Sequence, residues 1–170
     1  MEAPQQIEPR SLGDYLEVMS KAVFQSGMSW QVVEAKWEGT REAFRGFDPA
    51  AVAALTPPDL DSLGMDTRII RNRRKIEAIV ENARQMLALE EEHGGPSTLR
   101  QGSGQAGSGQ GFRNYLRSHG GFEEAVADIK KRFRFVGDTG AYYFLWVVNE
   151  PVPSYEDWCA SRGRTPQAHG

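Results

Sequence analysis

Between Arg73 and Glu92 the residues Ile76, Ile79, Val80, Ala83 and Leu87 fall at i, i+3, i+4, i+7 and i+11. On a helix of 3.6 residues per turn this spacing places all five on one face, whereas a strand would divide them between two. A long helix with one apolar stripe is stable only when the stripe is covered, so the chain must fold as helices packed on this one. The rest of the sequence supplies them. Ser11 with Asp14 is an N-cap signal ahead of Leu12, Leu16, Met19 and Val23 at helical spacing, and Gly27 ends that segment. Ser29 opens a helix carrying Trp30, Val33 and Trp37 toward Phe44. Asp48-Pro49 and Thr56-Pro57-Pro58-Asp59 start two short helices that run to Leu55 and Gly64. Phe112–Arg117 and Glu123–Arg132 read as two more. The apolar run Ala141–Val148 has a strand's composition, but it follows a glycine-rich turn and finds no partner strand, so it is expected to be a buried helix. The predicted class is all-α.

With 170 residues, 39% of them hydrophobic and 25% charged, the chain can build one core or two small helical lobes around a cleft. No apolar run approaches the roughly 18–20 residues of a membrane helix. Residues 1–10 are polar, lack the features of a signal or transit peptide, and are expected to be a flexible N-terminus of a cytoplasmic protein. Cys159 is the only cysteine, and His93, His119 and His169 are scattered. No disulfide can form within the chain, and no metal site or cofactor is expected. The tract Gly102–Gly111 contains only Gly, Ser, Gln and Ala, a flexible-linker composition, and is read as a dispensable insert at about 97–111 within a domain spanning 11–162. Residues 163–170 read as a flexible tail.

Net charge is −3, yet the bases are clustered. Arg68, Arg71, Arg73, Arg74 and Lys75 form one run, and Lys130, Lys131, Arg132 and Arg134 another. The second run leads into Phe135-Val136-Gly137-Asp138-Thr139-Gly140, a turn between two helices. A glycine at a helix N-terminus exposes backbone N–H groups and the positive end of the helix dipole, a site for one phosphate. Lysines and arginines beside it add sequence-independent affinity for a nucleic-acid backbone. Taken alone, a plain turn between packed helices and two solvated basic faces account for the same residues.

Three segments together resemble 3-methyladenine DNA glycosylase I: Gln25-Ser26-Gly27-Met28-Ser29-Trp30 with Phe44, Phe47, Asp48 and Pro49; Ile69–Ile76 with Asn82-Ala83; and Phe135-Val136-Gly137 with Tyr142. Their order and spacing cover roughly Ser11–Glu92 and Gly121–Asn149. The resemblance implies a helix-hairpin-helix glycosylase fold, acting as a monomer on double-stranded DNA with alkylated bases, flipping a damaged purine out and hydrolysing its N-glycosidic bond without a cofactor. It implies that Trp30 stacks on the flipped base, with Gln25 and Tyr142 beside it. The hairpin residues Gly137 and Thr139, with Lys130, Lys131, Arg134, Arg71 and Arg74, would then hold DNA.

Two departures accompany the resemblance. The family usually carries a glutamate early in the pocket helix, and its place here is taken by Ala22. The family's N-terminal Tyr-His-Asp-Asn-Glu-Trp-Gly-type segment and its Cys/His zinc clasp are missing. Many members of the wider superfamily place a catalytic aspartate about twenty residues beyond the hairpin glycine. Asp157 stands at that distance from Gly137, with Glu156 as its neighbour. The competing role for Asp157 is the capping box of the last helix, with Ser154. Thr139 stands where lyase members carry lysine, so no Schiff-base step is implied. The alternative to an enzyme is a catalytically weak lesion- or DNA-binding protein on the same fold, which the alanine at position 22 favours. An all-helical protein-interaction module is a third reading, which leaves the two basic runs unexplained.

Overall fold

The computed structural model describes residues 3–94 and 108–161, in which all regular secondary structure is helical. The helices are α1 (Leu12–Gln25), α2 (Trp30–Ala35), α3 (Trp37–Ala43), α4 (Pro49–Ala53), α5 (Pro57–Gly64), α6 (Arg73–Gly94), α7 (Gln110–Arg117), α8 (Phe122–Arg132), α9 (Asp138–Val147) and α10 (Tyr155–Ser161), with a 3-10 turn at Arg45–Phe47. The starts follow the capping chemistry of the sequence. Ser11 accepts a hydrogen bond from the Asp14 amide, Asp48 caps α4 through the Ala50 amide, and Thr56 with Asp59 closes a reciprocal capping box on α5.

Helix α6 is the central post. Ile76, Ile79, Val80 and Ala83 are buried along it, Leu87 packs at the margin, and α1, α4, α5 and α7 all lean on it. The helix expected from Ser29 to Phe44 breaks at Lys36 into α2 and α3. The break lets Trp37 stack on Phe47 at 5.4 Å while Trp30 stays at the edge of the core. Ala141–Val147 is helical as expected, within α9, with Val148 as its C-cap, and α1 packs against the helix.

Parts of two segments expected to be flexible, residues 3–10 and 108–111, make hydrogen bonds to the helices. Residues 3–10 contact α9 and α7: the Ile7 amide donates to the Val147 carbonyl and the Trp146 indole to the Pro4 carbonyl on α9, and Arg113 of α7 donates to the Pro9 carbonyl. At the end of the Gly/Ser/Gln tract, Gly109 and Gly111 are buried against Glu90, and α7 already begins at Gln110. A polar composition identifies chain that buries little, but it does not reveal backbone amides that a distant carboxylate can cap. The remainder of the tract, the first two residues and the tail from 162 lie outside the described residues.

Candidate active site

A cleft of about 430 Å³ lies where the C-terminal end of α1 meets the N-terminal half of α9. One wall is Ala22, Gln25, the turn Ser26–Met28 and Trp30, and the other is Phe135, Gly137–Gly140, Tyr142, Tyr143 and Trp146. Gly27 has φ +73, a left-handed conformation that glycine adopts without cost, and this turns the chain from α1 to α2 so that Trp30 faces back onto the cleft. Lys75 holds that turn from below. Its buried ammonium donates to the Phe24 and Ser26 carbonyls, satisfying the end of α1 with a charge that favours a helix C-terminus. Burial pushes the Lys75 pKa down.

The structure separates the aromatic candidates. Trp37 stacks on Phe47, Trp158 on Tyr142 at 4.3 Å, and Trp146 lies nearly parallel to Tyr142 at 6.3 Å. Among the described residues Trp30 has no ring partner, although it is half-buried and lines the cleft. Its indole is an available stacking surface. Tyr142 is instead a pillar: its ring packs on Trp158 and its hydroxyl donates to the Pro153 carbonyl at 2.8 Å, which joins α9 to the segment before α10. Desolvation pushes the hydroxyls of Tyr142 and Tyr143 up to about 12, so both stay protonated at neutral pH. Gln25, the last residue of α1, lines the cleft with a buried Nε2 that has no hydrogen-bond partner among the described residues, although it lies beside Tyr143. Ala22 is buried in the same wall and places a methyl group there.

At the second wall, α8 and α9 form a helical hairpin. Gly137 is the N-cap of α9 and brings no capping side chain of its own, and Thr139 is exposed in the first turn. A Cβ built on Gly137 meets nothing within 4 Å. The fold itself therefore has no steric need for glycine here, and the open space lies where a phosphate could approach the first-turn amides.

The sequence profile of the methyladenine glycosylase family matches residues 13–148, a span that contains both walls of the cleft. The chain belongs to the methyladenine glycosylase family. It is 30% identical over 142 residues to the DNA-3-methyladenine glycosylase of Haemophilus influenzae, covering 71% of this chain and 68% of that one. It is 35% identical over 127 residues to DNA-3-methyladenine glycosylase 1 of Escherichia coli K12, covering 71% and 67%. A crystal structure of 3-methyladenine DNA glycosylase I superposes with a TM-score of 0.63 at 28% identity over 84% of this chain and 81% of that one. The Staphylococcus aureus enzyme gives 0.65 at 23% identity, over 85% and 79%, a likeness of fold.

In this methyladenine glycosylase the basic runs are partly spent on the fold. Arg68 pairs with Asp66, Arg73 with Asp61 and Glu77, and Lys75 is buried. Arg71 and Arg74 are exposed with no ion pair among the described residues, but neither lines the cleft. In the second run Lys130 pairs with Asp138 at 2.7 Å and Arg132 with Asp128, leaving Lys131 and Arg134 exposed and unpaired among the described residues. We expect the double change Lys131→Ala/Arg134→Ala to reduce the slope of log affinity against log salt by about 1.8, because each phosphate contact contributes about 0.9. Lys130→Ala alone should change the slope less. An unaltered slope in the double variant removes these two side chains from the DNA interface.

The two acids singled out near the C-terminal end of the sequence, Glu156 and Asp157, lie away from the cleft. Helix α10 buries Tyr155, Trp158 and Cys159, so its period turns Glu156 and Asp157 to solvent, and neither lines the cleft. The Asp157 amide donates to Ser154 Oγ at 3.1 Å, as in a helix start. The carboxylate in the cleft lining is Asp138, in the first turn of α9. Counting residues from Gly137 could not find it, since separation along the chain does not say which face of a later helix is buried. Asp138 was nevertheless visible in the sequence as the acid beside the hairpin glycine.

Proposed function

We propose that this chain is a base-excision glycosylase that binds double-stranded DNA as a monomer, flips out an alkylated purine such as 3-methyladenine, and hydrolyses its N-glycosidic bond. The observation that carries the reading is Trp30: an aromatic ring with no ring partner among the described residues, in a cleft beside Gln25 and a hairpin N-terminus. Backbone amides at Gly137–Gly140, with Lys131 and Arg134, grip the phosphates next to the flipped nucleotide. The purine enters the cleft, stacks on Trp30, and presents an acceptor on its edge to Gln25.

Alkylation at a ring nitrogen makes the base cationic, which strengthens stacking on an electron-rich indole and makes the base a good leaving group without a general acid. The C1′–N bond breaks with its electron pair passing to the base. The sugar becomes an oxocarbenium ion, a water adds at C1′, and that water loses a proton. A carboxylate near C1′ stabilises the cation and takes up or orients the proton, and we assign this part to Asp138. Asp138→Asn should slow single-turnover excision by about 10²-fold, the order expected of one electrostatic or acid–base group. Asp157→Asn should excise within about threefold of the parent, because an exposed acid outside the cleft faces water and is screened. The reverse ranking would return the catalytic role to Asp157.

The reading as a whole is tested by incubating the purified chain with methylated duplex DNA and assaying released 3-methyladenine. Release that depends on Trp30 supports it. Binding to damaged duplex with no release from any alkylated substrate gives the role of a lesion-binding protein, the reading that Ala22 favours by leaving the pocket helix without a carboxylate.

A further inference from the structure

Among the described residues that line the cleft, only Asp138 is charged. It sits at the hairpin, in the first turn of α9, and pairs with Lys130 at 2.7 Å. The other polar side chains of the lining carry hydroxyl, amide and indole groups. Where the two walls meet, α1 and α9 come close: a Cβ built on Gly140 would lie 3.8 Å from the Ala22 Cβ, so neither helix offers a polar group at that level. About one turn further along each helix stand Gln25 and Tyr143, and the buried Gln25 Nε2 lies beside the Tyr143 hydroxyl. The Tyr143 ring packs on the main core and also lines a second hollow behind the cleft. The acids of that hollow are engaged elsewhere, Asp14 by the Arg10 amide, Glu17 by Arg41 and Trp37, and Glu34 by Lys21. Desolvation keeps the Tyr143 proton in place at neutral pH.

We propose that Gln25 and Tyr143 read the outer edge of the flipped base as two groups that can each donate or accept, so that the site takes 3-methylguanine as readily as 3-methyladenine. The proposal rests on the glycosylase function above and names its substrate class. Methylation at N3 leaves N7 and the 6-substituent of either purine free. Adenine offers an acceptor beside an amino donor on this edge, and guanine offers two acceptors. A carboxylate can only accept: it would pair with the amino group of adenine and repel O6 of guanine. A phenol hydroxyl donates or accepts by rotating its hydrogen, and an amide exchanges N–H for C=O by turning over. The pair can therefore present an acceptor and a donor to adenine, or two donors to guanine. Ala22 leaves α1 without a carboxylate that would choose between them, and Asp138 lies at the hairpin, where it serves the sugar. The positive charge that both lesions carry is met by the face of Trp30, which does not distinguish their edges.

The test uses the full chain and methylated duplex DNA, with both released bases separated by chromatography. Each single-turnover rate is divided by the spontaneous release of that base from the same DNA. The two normalised rates should agree within about fivefold. Gln25→Glu places an acceptor-only group in the pair and should shift their ratio toward 3-methyladenine by about tenfold or more, the scale of one hydrogen-bonding group left facing a like one. Tyr143→Phe keeps the ring that packs on the core, and should slow release of both bases by about tenfold. Where a variant excises too slowly, the same ratio is read as affinity for the two free bases by quenching of tryptophan fluorescence. A parent whose normalised rates differ by more than about fivefold overturns the proposal and leaves the glycosylase function standing. A ratio that Gln25→Glu does not move, or rates that Tyr143→Phe does not lower, overturns it as well. A parent that releases neither base overturns the glycosylase function itself, and the proposal with it.

Discussion

Gly111→Ala should unfold this protein under conditions where the parent is folded. A Cβ at position 111 would overlap the Glu90 carbonyl oxygen and lie 2.7 Å from Glu90 Oε1 and 2.8 Å from the Gly94 amide nitrogen. Two of these three are backbone atoms of the last turns of α6, which cannot step aside as a side-chain tip can. Helices α6 and α7 meet backbone to backbone at this point, and the methyl group would force them apart along the most extensive helix pair of the fold. Overpacking of this kind costs about 3 kcal/mol or more, a large share of a domain's net stability. Glu90→Ala should act at the same junction. The Glu90 carboxylate is fully buried, with Oε2 accepting from the Gly109 amide at 2.7 Å and Oε1 from the Phe112 amide at 2.8 Å, two donors that a helix start leaves unpaired. Removing it strands both in the interior and should cost about 3–5 kcal/mol. Gly137→Ala is the control, since its Cβ meets nothing and its φ of −95° suits any residue. Urea unfolding followed by circular dichroism measures all three, and an unshifted midpoint for Gly111→Ala would refute the close approach of α6 and α7.

Trp30→Ala should remove most of the recognition of damaged DNA while leaving the protein folded. Stacking of one base on an aromatic side chain is worth about 1–3 kcal/mol, so excision at low substrate should fall by up to about 10²-fold. Binding to undamaged duplex should persist, because it draws on Lys131, Arg134 and the hairpin amides rather than on the cleft. The indole is half-buried and has no ring partner among the described residues, so little of the core goes with it. Trp30→Phe should recover much of the activity by restoring a flat face. Trp37→Ala makes the opposite contrast. Trp37 is 5% exposed, stacks on Phe47 and donates to Glu17 at 2.9 Å, so its loss should lower stability by about 3–5 kcal/mol with no selective effect on damaged DNA. Full excision by Trp30→Ala would eliminate stacking on Trp30 as the basis of recognition.

The sequence by itself determined the helices. Ile76, Ile79, Val80 and Ala83 lie buried where their period placed them, and Ser11, Asp48 and Thr56 cap the helices that they precede, because periodicity and capping act over three or four residues and are written locally. The family was legible too, since its segments at 25–30, 69–76 and 135–142 keep their types and order. Which of those residues are free to act was decided by the tertiary structure. Four tryptophans have the same composition value, and only packing leaves Trp30 without a ring partner among the described residues while Tyr142 is committed to Trp158. Lys75 and Arg73 sit in one basic run, but Lys75 is drawn under the α1 turn and Arg73 is taken by Asp61 and Glu77. Glu90 reads as one of three surface acids, and it becomes the buried cap of a helix that begins twenty residues later. Asp138 lines the cleft and Asp157 faces solvent, although counting along the chain favours the second. In each case the deciding partner lies far away in sequence. A residue's type and its neighbours set its local conformation, whereas its chemistry depends on desolvation and on contacts that exist only once α1, α6 and α9 have packed together.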